Sequence, residues 1–179
     1  MVCKTTSIEA RSGFTLTEFL VSLAVGSLLF LAVGVLGIYS GRNFASLANY
    51  TALDAASRNA LDRLTRDVRQ VNRLVSSTAT SLSFEDADGG TLQYVYSPTA
   101  RTLARIKNGN SRILLTECDR LQFSTYQRNP IGGTYDQYPT ASPATTKLIN
   151  VNWTCSRKIL GHTMNTENVQ TARIVIRKQ

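Results

Sequence analysis

One carboxylate stands where few are tolerated. Glu18 sits at the head of an apolar run, and the 23 residues after it, 19–41, carry no charge. An ionisable group in lipid costs about 2.5–3.5 kcal/mol at the centre of a spanning helix, and less near its end. A cation placed within one helical turn would answer that cost. The other residues able to do chemistry are sparse. His162 is the single histidine and lies in a polar stretch with no serine or cysteine nucleophile motif around it. That excludes a multi-histidine metal centre and a histidine proton relay as readings of the sequence. Glu85, Asp86 and Asp88 fall in a turn and lack the further carboxylates of a calcium loop. A solvated hairpin turn is expected there. No catalytic residue, no metal site and no cofactor are expected from this inventory.

The elements that must position Glu18 follow from hydropathy and period. Residues 19–41 as a helix reach roughly 34 Å, enough for a hydrocarbon core of about 30 Å. The run exceeds the usual apolar core of a secretory signal, and no clean small-x-small cleavage site follows at 38–42. After Arg42 the chain turns polar but keeps helical spacing. Leu53, Ala56, Ala60, Leu64 and Val68 form an apolar line, widened by Leu61, Val71 and Val75. No Pro or Gly interrupts residues 42–75. One helix is expected from Phe14 to Val75, with its charged residues, Asp67 among them, on the outer faces. Asp62 and Arg66 are spaced as an i,i+4 ion pair.

The order Arg11-Ser-Gly-Phe-Thr-Leu-Thr-Glu18 ahead of such a helix resembles the processing site of type IV prepilins and of the pseudopilins of type II secretion systems. The resemblance implies a leader over 1–13, cut between Gly13 and Phe14 by a membrane-embedded prepilin peptidase and followed by N-methylation of Phe14. It also implies that Glu18 serves filament assembly. In a staggered bundle of helices its carboxylate can meet the Phe14 ammonium of a neighbouring subunit. A contact with its own Phe14 amine, or with lipid headgroups, remains the alternative. Tip subunits of this family often lack the glutamate, so its presence favours a body or sub-tip position. Many members carry a proline in the apolar segment. This chain has none there, and only Gly26, Gly34, Gly37 and Gly41 could loosen or closely pack that helix.

From about Thr80 the apolar period becomes two. Leu82/Phe84 and Leu92/Tyr94/Tyr96 read as strands joined across Glu85–Gly90, and Asn108-Gly109-Asn110 reads as a second turn. Residues 103–106, 112–115 and 121–123 suggest further strands, as do 149–155 and 172–177. Residues 128–147 hold Pro130, Pro139, Pro143 and Gly132-Gly133, and read as a long loop. The expected fold is α+β and pilin-like: a helix spanning the membrane over 14–41, amphipathic over 42–75, and packed on an antiparallel sheet over 76–179. Gln93–Tyr96, Thr102–Arg105, Leu114–Phe123 and Ala172–Arg177 resemble the J-type minor pseudopilins and the W-type minor pilins.

Cys3 would leave with the leader. Cys118 and Cys155 would then sit outside the cytoplasm, where a disulfide persists. Two buried thiols are the other reading, because Cys118 is out of phase with Leu121 and Phe123 unless a bulge intervenes or Cys118 belongs to the preceding strand with Leu114. Cleavage would also remove Lys4, Arg11 and Glu9, leaving 18 basic and 11 acidic residues. The basic residues are dispersed, with no aromatic cluster among them, so nucleic acid has no support as a partner beyond the net charge itself. The expected partners are prepilin peptidase, other pilin or pseudopilin subunits bound through the N-terminal helix, and the inner membrane. The expected location is a single-pass anchor with the C-terminal domain in the periplasm or cell exterior. The rival readings are a membrane-anchored extracytoplasmic binding domain and a pilin of a DNA-uptake machine.

Overall fold

A computed structural model describes residues 13–157 and 168–178. The chain divides into two compact units, 1–43 and 44–179. A single helix, α1, runs Leu16–Gln70. Within the first unit its residues are exposed almost throughout, and that part is long and apolar enough to cross a membrane.

In the second unit the helix buries Leu53, Ser57, Ala60, Leu64, Asp67 and Val68. The steps of four and three residues put all six on one face. That face meets two antiparallel sheets rather than the single sheet expected. The first holds β1 (Arg73–Ser77), β2 (Ser81–Glu85), β3 (Thr91–Ser97), β4 (Thr102–Lys107) and β5 (Asn110–Leu115) in sequential order. The second holds β6 (Cys118–Arg128), β7 (Gln137–Pro139), β8 (Leu148–Cys155) and β9 (Asn168–Val175), ordered β7-β6-β8-β9. Glu117, at φ 58°, lies between β5 and β6. Its left-handed backbone turns the chain off the first sheet, and β6 pairs with β8 instead. One hydrophobic cluster takes in the helix and both sheets. The architecture is α+β and pilin-like.

The helix ends at Gln70, short of Val75. Arg73–Ser77 pairs with β2 instead, Leu74 opposite Phe84. Both of those side chains are buried, whereas Val75, expected on the helical stripe, is 52% exposed. Strand pairing wins because it covers the outer edge of β2 and still buries Val71 and Leu74. The Asn108-Gly109 turn is a tight two-residue hairpin, φ 49° and 82°, with Lys107 registered opposite Asn110. The Glu85–Gly90 turn closes through Asp86 N donating to Gly90 O. Residues 128–147 are not wholly loop, since β7 pairs with the end of β6 and Pro143–Thr145 forms a 3-10 turn. β9 starts at Asn168, before the expected 172, because it pairs with all eight residues of β8.

Candidate functional site

The N-terminus of α1 is a capping box. Thr15 is the N-cap, and Glu18 stands three residues further on. The Thr15 backbone N–H donates to Glu18 Oε2 at 2.9 Å, and the Thr15 hydroxyl donates to the same oxygen at 2.9 Å. In return Glu18 N–H donates to Thr15 Oγ1 at 3.3 Å. The carboxylate expected to await a cation is therefore already held by its own helix start. It holds by Oε2 alone, and Oε1 has no partner among the described residues. Gly13 and Phe14 precede the helix in exposed chain without regular secondary structure, Phe14 being 82% exposed. A Cβ built on Gly13 meets no atom within 4 Å. Among the described residues nothing packs closely enough to require glycine there. The leader residues 1–12 and His162 lie outside the described residues.

The two cysteines come together. Cys118 and Cys155 are direct cross-strand partners of β6 and β8, and a bulge between Cys118 and Arg120 supplies the change of phase that the sequence pattern demanded. Both are buried and both are free thiols in this structure. Their mutual hydrogen bond, reinforced by burial, pushes the Cys118 thiol well above its ordinary range. A polar frame surrounds the pair. The Tyr96 hydroxyl donates to the carbonyls of Cys118 and Asp119, while Arg101 reaches the carbonyls of Glu117 and Ser156.

Two polar contacts tie α1 to the sheets, and hydropathy gave no sign of either. Trp153 Nε1 donates to Ser57 Oγ at 3.2 Å. Asp67, expected on the outer face, is buried because it accepts from the Tyr94 hydroxyl at 2.7 Å and from Arg105 Nε on β4. Burial and the adjacent Asp67 carboxylate push the Tyr94 hydroxyl far up, so it stays a donor. A signal was present: Asp67 lies between two apolar positions of the stripe, Leu64 and Val68. Asp62 and Arg66 do not bridge. The i,i+4 pairs formed in this part of the helix are Asp54–Arg58 and Arg63–Asp67. In the acidic turn, Asp86 is paired with Lys107 and Glu85 with Arg73. Among the described residues no three metal-ligating side chains converge.

Residues 10–34 match the prokaryotic N-terminal methylation motif. This is a mark of the type IV pilin and pseudopilin family, and it supports that family for this chain. The matched segment holds Gly13, Phe14, Thr15 and Glu18 and the first part of α1. It indicates processing by prepilin peptidase, and together with the apolar N-terminal helix it fits a membrane-anchored pilin. A search among curated proteins returned no match.

Proposed function

We propose that this chain is a structural, non-enzymatic subunit, a minor pilin or pseudopilin. It is stored in the inner membrane by residues 14–41, with its sheet domain in the periplasm or at the cell exterior. Prepilin peptidase hydrolyses the peptide bond between Gly13 and Phe14. Water adds across that bond, Gly13 leaves with a carboxylate, and Phe14 keeps a protonated amine. In methylation the amine, after giving up one proton, takes a methyl group from an activated sulfonium donor, which leaves as the neutral thioether. The nitrogen then carries one methyl in place of one hydrogen and keeps its positive charge. The subunit then joins a type IV pilus or a secretion pseudopilus through its N-terminal helix.

The capping box directly after the Gly13–Phe14 bond is the observation that carries this reading. It fixes the start of the helix at Leu16 and leaves the scissile bond outside the helix, in exposed chain that a peptidase could reach. It also keeps a carboxylate stable in lipid before assembly, with one oxygen unused. That oxygen is the one that would receive a neighbour's Phe14 ammonium. Because the chain's own packing tolerates a Cβ at Gly13, a strict need for glycine would belong to the peptidase.

The test is mass spectrometry of the chain expressed beside an active prepilin peptidase. The expected N-terminus is a methylated Phe14, and Gly13→Val should accumulate as full-length precursor with an unchanged sheet domain. A persistent Met1 terminus under those conditions refutes the proposal. Glu18→Ala separates it from a merely anchored binding domain. The variant should still be cleaved yet fail to enter filaments, whereas an anchored domain would be indifferent to the change.

A further inference from the structure

Between α1 and the outer strand of the first sheet lies a cleft of about 500 Å³. Its walls carry Asp62, Arg63 and Arg66 from the helix, and Arg105 and Arg112 from β4 and β5. Asp67, behind the wall, is shared by Arg105 and Arg63. Arg66 and Arg112 are exposed and make no ion pair with any described residue. Four guanidinium groups thus face two carboxylates, and the surplus is concentrated in the two uncommitted arginines.

The cleft borders an open edge. β5 ends its sheet, and its outer side pairs with no strand among the described residues. Arg112 is registered opposite Arg105, so it shares the face that looks toward the helix. Ile113, the next residue, alternates to the other face of β5 while also bordering the cleft at the strand edge, and is 57% exposed. A strand laid along β5 would therefore meet positive charge on one face and an exposed isoleucine on the other.

We propose that this edge and cleft seat an extended acidic segment of a different protein, added to the sheet as a sixth strand. Carboxylates at alternate positions would take Arg66 and Arg112, and the intervening apolar residues would cover Ile113. Backbone pairing supplies affinity in such an arrangement, and the alternating side chains supply selectivity. Charge argues for a different protein over a second copy of this chain. Seven of the nine described carboxylates of the second unit are engaged already: Asp54, Asp67, Glu85, Asp86, Asp88, Glu117 and Asp119 each have a cationic partner. Chemistry argues against nucleic acid, since no aromatic ring lines the cleft to stack a base. The proposal does not depend on cleavage at Gly13.

The test uses the full chain in detergent micelles and a fluorescent, end-blocked octapeptide alternating glutamate and valine. Saturable binding is expected, with the glutamine–valine analogue at least about tenfold weaker. The double variant Arg66→Gln/Arg112→Gln should lose at least about tenfold while melting at the wild-type temperature. Methylating the peptide's amide nitrogens at alternate positions should abolish binding in one of the two possible phases. Equal binding of the glutamine analogue overturns the proposal, and so does indifference to the double variant or to both methylation patterns. Displacement of the peptide by an equal concentration of single-stranded oligothymidine would reassign the cleft to nucleic acid. Self-association abolished by the double variant would reassign it to a second copy.

Discussion

Replacing Asp67 by asparagine tests whether the helix is locked onto the sheets by charge as well as by oil. The carboxylate is 8% exposed, and the Arg105 side chain it faces is 11% exposed. The neutral amide of Asp67→Asn could still accept a hydrogen bond from Tyr94, but Arg105 would keep a buried charge with no counter-ion. Breaking a buried pair from one side costs about 3–5 kcal/mol. Arg105 retains a narrow path to solvent through the cleft, so the lower end, about 3 kcal/mol, is expected. Tyr94→Phe removes only the 2.7 Å hydroxyl bond and should cost about 1–2 kcal/mol. With a urea slope of about 1–3 kcal/mol per molar, Asp67→Asn should lower the midpoint by roughly 1–3 M. Trp153, the single tryptophan, is 1% exposed and reports the transition by its own fluorescence. The paired replacement Asp67→Leu/Arg105→Met should recover most of the loss, because it removes both charges together. A midpoint unchanged within about 0.3 M in Asp67→Asn would show that Arg105 is satisfied elsewhere, and the lock would be refuted.

Three other outcomes are expected. We propose that Cys118 and Cys155 are joined when the domain matures in an oxidising compartment, by exchange with a protein disulfide that is itself reduced to a dithiol. Closing that loop should stabilise the domain by about 4 kcal/mol on the chain-entropy model, and alkylation of the unfolded mature chain without reductant should label no thiol. Two labelled thiols on a correctly processed chain would reject the bridge. The hydrogen bond from Lys107 holds the Asp86 carboxyl below its ordinary value, so its contribution is present above the unfolded value near about 4 and lost as pH falls further. Asp86→Asn should flatten the decline of the urea midpoint as pH falls below that unfolded value, and an unchanged slope would contradict this. Gly90→Ala would place a methyl 2.2 Å from Asn108 Oδ1, so the turn or the Asn108 side chain must shift, and thermal melting should fall unless Asn108→Ala accompanies it.

Sequence pattern carried the parts of this molecule that depend on local period and turn chemistry. The alternation in β3 and β8, the Asn108-Gly109 hairpin and the Leu53–Val68 stripe follow from side chains that can be buried only one way. The helix end and the split into two sheets were not visible, because each depends on a competition between distant segments. Residues 71–75 could extend the helical stripe or pair with β2, and only the presence of Phe84 across the strand decides it. Asp67 is charged and therefore expected on the outer faces, and hydropathy assigns Ser57 no place in the apolar stripe. Their burial depends on Tyr94, Arg105 and Trp153, which approach from 27 to 96 residues away. The cysteine pair was half legible. The parity conflict left a bulge or a place in the preceding strand for Cys118, and the structure has the bulge, between Cys118 and Arg120 in β6.

The same distinction governs Glu18. A carboxylate in an apolar run implies a cation only if nothing nearer can satisfy it, and the Thr15-Leu16-Thr17-Glu18 spacing is itself a helix-start signature. In the proposed precursor, the cap would let the acid tolerate lipid before any neighbour is present. On the proposed assembly, an incoming ammonium would need only to add to Oε1 and would not have to displace Oε2 from Thr15. Charge assistance makes such an added bond stronger than a neutral one, and the low dielectric of lipid strengthens it further. Thr15 then matters twice, as the residue that holds the carboxylate in place and as the cap that keeps Phe14 outside the helix. Thr15→Val should consequently impair filament entry more than a cap loss of about 1 kcal/mol would suggest, while Thr15→Ser should behave as wild type.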